Sequence, residues 1–238
     1  MEMKNTNSLR LIFLTIISLI VSLSSCKKDY YVDGGVHDPN YNGTILDFLK
    51  SRPELFDTLV KVIELANYSS LLNDPNANVT FFAPTSQSIS KSMTSLNSQL
   101  FFRGQDTVLK VEQVSPEVWR KYLSRYIYKE KYLLKDYPQI DTSDMLAYPG
   151  QGYLSIDGDP LNIGTFYNDV RTKNSAGVEQ IVKYAGYRQI LINYSNPVAT
   201  SDIQPKNGVI HVLQSFRHSF GFYTFDFTSD AINKGITY

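Results

Sequence analysis

The chain contains a single cysteine among its 238 residues, together with one tryptophan and three histidines. One cysteine excludes an internal disulfide framework and any site built from several thiolates. Lysine plus arginine equal aspartate plus glutamate at 23 each, so the formal net charge is zero. A net charge of zero gives no indication of nucleic-acid binding, and no nucleic-acid partner is predicted. The fold must be held by its own core.

Motifs for catalysis are missing as well. The three histidines, His37, His211 and His218, do not have the i, i+4 spacing of a helical zinc pair. There is no Gly-x-Ser-x-Gly elbow and no phosphate-binding glycine-rich loop. Asp141 and Asp144 suit a glycosidase only at a set separation in space, and a polar loop explains them better. We therefore predict no enzyme, no metal and no cofactor.

The position of the cysteine is informative. An uncharged apolar run covers residues 11–23, follows the basic Arg10, and leads directly into Leu23-Ser24-Ser25-Cys26. These are the parts of a secretory signal, and the run is shorter than the roughly 20 residues that span a bilayer. The ending resembles a bacterial lipobox, which implies cleavage before Cys26, diacylglycerol on its sulfur and an acyl chain such as palmitate on its amino group. An ordinary signal peptide with an incidental cysteine is the alternative.

Composition and periodicity predict the organisation of the rest. Residues 1–25 are the signal peptide, and 26–42 are a polar, flexible tether. Apolar residues recur at helical spacing up to about Ile127, and short β-type runs follow after Tyr132, which predicts an α+β fold. The polar stretch 92–113 is predicted to be a long loop or insertion. The aromatic run within 219–238 is predicted to be a C-terminal strand packed on the domain.

Two stretches carry a family resemblance. The first is Thr80-Phe81-Phe82-Ala83-Pro84-Thr85, and the second is Asn207-Gly208-Val209-Ile210-His211-Val212-Leu213. In this order, and with helices before them, they resemble the two signatures of fasciclin-like domains. The resemblance implies one such domain over 43–218, with helices of the first half packed on a β-sandwich or wedge formed largely by the second half.

Physical chemistry gives the signatures a structural role first. Pro84 cannot continue a strand ladder and sets the turn that follows. Gly208 supplies either a positive φ or a close backbone approach. His211, alone in an apolar strand, is predicted to be a hydrogen-bonded core residue. Members of the family often carry a Tyr-His pair discussed in adhesion, and here Arg125 and Tyr126 occupy those positions, which argues against a role tied to that pair.

Two kinds of binding function remain open. The resemblance implies an interaction module that binds a surface or matrix protein. Phe101 and Phe102, two adjacent aromatic residues in the predicted loop, are either its anchors or a small satellite core. The alternative is a glycan-binding accessory lipoprotein of a polysaccharide-uptake system, for which four tyrosines are candidates: Tyr148, Tyr153, Tyr167 and Tyr187.

The charged stretch after Cys26 loosely resembles the export signals of Bacteroidetes surface lipoproteins. We therefore expect membrane attachment through the lipidated Cys26 at the outer membrane, facing the cell surface, with the periplasmic face as the alternative. Asp106-Thr107-Val108 also resembles a short glycosylation sequon of those bacteria.

Overall fold

The computed structural model describes residues 39–237 of the chain. The predictions for the signal peptide, for Cys26 and for the tether up to residue 38 lie outside the described residues. The α-helices are α1 (Ile45–Lys50), α2 (Pro53–Leu65), α3 (Ser69–Asn73), α4 (Ser86–Phe102), α5 (Pro116–Leu123) and α6 (Thr224–Lys234). Short 3₁₀ turns occupy Val111–Gln113, Ser124–Tyr126 and Leu134–Asp136.

The strands follow the α+β pattern predicted from the sequence, with most of them in the second half of the chain. They are β1 (Asn40–Tyr41), β2 (Val79–Ala83), β3 (Ile127–Lys129), β4 (Gln151–Leu154), β5 (Pro160–Tyr167), β6 (Val170–Lys173), β7 (Glu179–Val182), β8 (Arg188–Ile192), β9 (Asn196–Pro205) and β10 (Gly208–Leu213).

One mixed sheet organises the domain. Its strand order is β3-β2-β10-β9-β8-β5-β4, and β1 pairs with β9. Strands β2 and β10 pair in parallel, with Gly208 of β10 opposite Val79 of β2 and Val212 opposite Ala83. The other neighbour of β10 is β9, which runs antiparallel to it. β6 and β7 form an additional two-stranded ribbon inserted between β5 and β8.

The helices cover the core through apolar faces at helical spacing. Phe56 and Leu59 of α2 and Trp119 of α5 are fully buried, and the two helices pack against each other. Trp119 also donates its Nε1–H to the Val111 carbonyl at 2.9 Å, so burying the indole leaves no polar atom unpaired. Each such side chain contributes about 1.5–3 kcal/mol by leaving water.

The prediction of a loop over 92–113 was wrong in its first half. Helix α4 continues to Phe102, with Ile89, Leu96 and Leu100 buried along one stripe. The hydroxyls of Thr94, Ser95 and Ser98 donate to carbonyls four residues back, as Thr94 does to Ser90 at 2.9 Å. Such bonds satisfy small polar side chains within a helix, so a serine-rich composition does not by itself indicate a loop.

The prediction of a C-terminal strand was also wrong. Gly221 has a φ of +88°, which interrupts the aromatic run, and helix α6 begins at Thr224. Phe227, Thr228 and Ala231 are the buried positions of that helix, with Phe227 and Ala231 four residues apart. Phe220 and Phe227 pack on Trp119 with ring centroids 5.4 and 5.3 Å away. The C-terminal segment therefore closes the helical side of the core.

The tether ends earlier than predicted. Asn40 and Tyr41 form β1, which lies parallel to Gln204 and Pro205 of β9. The Tyr41 ring meets Phe48 edge-on at 5.3 Å, which attaches this strand to helix α1. The ordered domain thus includes residues that the sequence assigned to the linker.

Candidate functional site

The first signature places a buried strand directly before a helix. All five residues of β2 are buried, and Thr85 caps α4 by accepting the Ser88 N–H. Thr80 donates its hydroxyl to the Glu130 carbonyl and accepts the Tyr132 N–H, both at 2.8 Å. These contacts join β2 to the segment after β3. The signature therefore organises the backbone around it.

Asn207 of the second signature joins three parts of the chain. Its side chain is fully buried, its Oδ1 accepts the Ile45 N–H at 2.8 Å, and its Nδ2 donates to the Leu72 carbonyl at 3.0 Å. Its own carbonyl accepts the Val79 N–H at 3.3 Å. Asn207 thus ties the start of α1 and the end of α3 to the central strands.

His211 has the core role that the sequence predicts. Its Nε2–H donates to the Tyr132 carbonyl at 2.9 Å, while its Nδ1 accepts the Asp202 N–H at 3.2 Å. Burial lowers the pKa of His211 to about 4, so the ring is neutral at physiological pH. With both nitrogens engaged, no lone pair points toward a ligand.

A second buried histidine forms a network that sequence reasoning missed. His218 lies 2.8 Å from the Tyr126 hydroxyl through Nε2 and 2.9 Å from Asn196 Oδ1 through Nδ1. Asn196 Oδ1 can only accept, so Nδ1 of the neutral ring carries the proton and Nε2 accepts the Tyr126 hydroxyl. The Tyr126 oxygen in turn accepts the Gly221 N–H at 2.6 Å. No local pattern signals this network, because Tyr126 and His218 are 92 positions apart.

The positions of the family's Tyr-His pair do not form a binding surface here. Tyr126 is fully buried between Phe220 and Phe222. Arg125 bonds Asp159 through Nε at 3.1 Å, and its guanidinium lies over the Tyr122 ring at 4.6 Å. Both side chains are committed to internal contacts.

The acidic residues considered for chemistry also have structural partners. Asp141 accepts bonds from Ser143 and from the Tyr184 hydroxyl, and those bonds hold the pKa of its carboxyl below the usual range. Residues 155–159 connect β4 to β5 as the turn of a hairpin. Within residues 39–237, no group of three or more His, Cys, Asp or Glu side chains is arranged to hold a metal.

Over the same range, no helix combines the length and the apolarity that crossing a bilayer requires.

Three of the four candidate glycan tyrosines are covered by neighbours. Tyr153 packs edge-on against Tyr132 and Tyr137, at 5.3 and 5.4 Å. Tyr148 meets Tyr184 at 5.4 Å. The two remaining candidates differ: Tyr167 lies beneath the Arg188 guanidinium at 3.6 Å, whereas Tyr187 is 68% exposed. The four rings therefore do not form one open platform.

The two candidate anchors are open to solvent. Phe101 and Phe102 lie at the end of α4, 72% and 85% exposed, with ring centroids 6.1 Å apart. After the helix, Asn97 holds Val108 through two hydrogen bonds of 2.8 Å, one to its N–H and one from the amide to its carbonyl. Leu109 follows and is 87% exposed. We call Phe101, Phe102 and Leu109 the helix-end patch.

Comparison with known proteins agrees with the two signatures. A model of the fasciclin domain matches residues 54–216. Among solved structures, the chain is similar to a FAS1 domain pair from the insect cell adhesion molecule fasciclin I, with 20% identity and a TM-score of 0.40. That match covers 72% of this chain and 49% of the other, so this chain spans about half its length. None of the curated proteins compared with the chain matches it. Because the family model covers more than half of the sequence and contains both signatures, this chain belongs to the fasciclin domain family.

Proposed function

We propose that this protein is a lipid-anchored module of the cell envelope whose fasciclin domain binds a protein partner through the helix-end patch. The anchor is Cys26, and the domain faces outward from the outer membrane. The observation that carries the binding role is the exposure of Phe101 and Phe102 at the end of α4, together with that of Leu109 in the segment that follows the helix.

Leaving these side chains in water is unfavourable for an isolated domain. Burying a phenylalanine or leucine side chain contributes about 1.5–3 kcal/mol to stability. Because these three side chains stay mostly exposed, folding gains little of that free energy from them. Adjacent exposed apolar side chains with a polar rim are typical of protein interfaces. Here the rim is supplied by the exposed Arg103, Gln105 and Lys110.

The local backbone presents the patch in a defined position. Gly104 has a φ of +67°, and Gln105 donates its N–H to the Leu100 carbonyl at 2.9 Å, which ends the helix sharply. Val108 is buried and fixed to Asn97, one helical turn before Phe101. A patch held in this way loses little conformational freedom when a partner binds.

A glycan ligand is less well supported by the geometry. Stacking on a sugar requires open ring faces with neighbouring polar groups, and Tyr148, Tyr153 and Tyr167 are covered by other side chains. Phe101 and Phe102 meet at an interplanar angle of 69°, which is unlike a flat platform. These features favour a protein partner.

Replacing both phenylalanines of the patch with serine is expected to weaken partner binding at least tenfold without unfolding the domain. The two side chains make up most of the exposed apolar surface at the helix end, and central aromatic residues dominate interface energies. Photo-crosslinking from position 109 on intact cells, followed by mass spectrometry, measures which proteins are captured and how much of each.

Leu146→Ser is the matched control, because Leu146 is fully exposed in the 141–148 loop and lies outside the patch. This variant should capture the same proteins in the same amount as the wild type. If the double serine variant captures as much of the same proteins as the wild type, the helix-end patch is not the binding site. Crosslinks to polysaccharide alone would favour the glycan alternative.

Cys26→Ala is expected to release the protein from the membrane fraction, since two acyl signals on one residue provide stable anchoring whereas a soluble domain has none. The measurement is fractionation of cells, combined with protease treatment of intact cells. Wild-type protein should stay with the outer membrane and be cleaved from outside.

Wild-type protein that resists protease until the outer membrane is opened would place the domain in the periplasm and contradict the surface assignment. A Ser25→Ala variant, which keeps a small residue before the cysteine, is the control and should fractionate like the wild type. Retention of Cys26→Ala in the membrane would contradict lipid anchoring.

A further inference from the structure

Strands β8 and β9 separate soon after the turn that joins them. They pair only at Leu191 with Pro197 and at Ile192 with Asn196. Beyond these pairs, β8 follows β5 back to Arg188, whereas β9 follows β10 as far as Ile203. Among residues 39–237, no strand pairs with the 198–203 segment of β9 on the edge that faces β8. We call the space between these edges the β8–β9 gap.

The gap is bridged by a side chain instead of a backbone ladder. Gln189 of β8 donates its Nε2–H to the Val198 carbonyl of β9 at 2.9 Å. A cavity of about 80 Å³ lies here. Residues that line it are Leu134, Arg188, Gln189, Ile190, Val198 and Ser201. Since pockets for small molecules measure about 300–1,000 Å³, the cavity does not suit an enclosed ligand of that kind.

The same edge of β9 already binds an extended chain at its other end. β1 pairs there in parallel, with Asn40 opposite Gln204, and the Gln204 N–H donates to the Pro39 carbonyl at 2.7 Å. A strand edge offers a row of N–H and C=O groups that an added strand can use. The gap is therefore a continuation of an edge that takes a strand in this structure.

We propose that the β8–β9 gap binds an extended segment of a partner protein, which adds as a strand between β8 and β9. This inference rests on the proposed protein-binding function and assigns a second site, distinct from the helix-end patch. The Gln189 side chain swings aside, and backbone groups of the incoming segment take its place on Val198.

The walls of the gap define the chemistry of the incoming segment. Ile190 and Val198 are buried and Leu134 is partly buried, so one side of the space is apolar. Ser201 and Arg188, whose guanidinium is held by the Tyr184 and Gly186 carbonyls, contribute polar groups to the lining. The segment should therefore alternate apolar and polar residues, with period two, and contain no proline.

The probe is a library of random linear heptapeptides displayed on phage, selected on the full chain in detergent micelles. Enriched peptides are expected to alternate apolar and polar residues and to slow hydrogen exchange in the segments 188–190 and 198–203. Ser201→Lys, which places a charge in the gap, should weaken their binding at least tenfold. Gln189→Ala, which removes the bridging bond, should strengthen binding about threefold or more.

The double serine variant of Phe101 and Phe102 separates this inference from the proposed function. It should bind the selected peptides as the wild type does, because the helix-end patch is a different surface. Failure to enrich peptides, equal binding by Ser201→Lys, or slowed exchange confined to other segments would overturn the inference. A concentration-dependent dimer that slows exchange at 198–203 would assign the gap to a second copy of this chain and would also overturn it.

Discussion

Gly208→Ala is expected to lower the free energy of unfolding by about 3 kcal/mol or more, the upper end of the range for overpacked cores. A Cβ at this position would lie 2.1 Å from the Val79 carbonyl oxygen and 2.9 Å from Ile45 Cδ1. The first of these atoms belongs to the backbone of the neighbouring parallel strand and cannot move without disturbing the pair of β2 and β10. The sequence left open whether Gly208 serves a positive φ or a close approach, and the structure shows the close approach.

Denaturant unfolding of the purified protein measures this effect. Gly152→Ala is the matched control, because Gly152 also lies in a strand but nothing is within 4 Å of a Cβ built there. The control should be neutral or stabilising by about 0.5 kcal/mol, since alanine restricts the unfolded chain more than glycine does. Equal stability of Gly208→Ala and the wild type would mean that β2 and β10 are farther apart than the structure has them.

Acid is expected to destabilise the domain well before its carboxylates are titrated. Burial lowers the pKa of His211 to about 4 and that of His218 to about 3, from an ordinary value of 6.5. The unfolded chain therefore binds protons at these residues as the pH falls below 6.5, while the folded chain stays neutral down to about 4. Between pH 7 and pH 5 the two histidines together should remove about 3–4 kcal/mol of stability.

Urea titrations at pH 7, 6 and 5 measure how the free energy of unfolding changes with pH. In His218→Gln, whose amide can still meet Tyr126 and Asn196, the loss between pH 7 and pH 5 should be about half that of the wild type, whatever its stability at pH 7. A wild-type free energy of unfolding that is constant over this range would refute the prediction. It would mean that the buried rings accept protons without penalty.

Sequence reasoning succeeded where a residue's role follows from its neighbours along the chain. The β-type run ending at Pro84 and the special backbone role of Gly208 both rest on short-range backbone preferences. The structure has strands at these places. The core role of His211 also followed from its apolar strand.

The errors came from composition. The serine-rich segment after Ser86 has a low average hydrophobicity, yet three apolar side chains at helical spacing suffice to hold α4 against the core. The aromatic run after Phe220 has strand-like residues, but a left-handed Gly221 breaks it and Phe227 and Ala231 set a helical period. In both segments periodicity was the better guide than residue type.

The candidate sites also differ in whether they depend on neighbouring residues or on residues distant in sequence. Phe101 and Phe102 were singled out from their polar surroundings as partner anchors or a small satellite core, although the local structure was predicted wrongly. The structure leaves both rings exposed. The β8–β9 gap was not predictable from the sequence. It depends on the residue at which β8 and β9 stop pairing, and on the strands β5 and β10 with which each then pairs. The link between Tyr126 and His218 has the same origin.

The parallel pairing of β2 with β10 has a consequence for how the chain acquires its fold. The paired residues of these strands, such as Val79 and Gly208, are 129 positions apart in sequence. Helix α6, which packs Phe227 on Trp119, comes later still. A nascent chain emerging from the ribosome cannot complete its central strands until Leu213 has been synthesised. Contacts of such long range are slow to form, so the domain is expected to stay unfolded throughout most of its synthesis and to depend on its last 30 or so residues to fold.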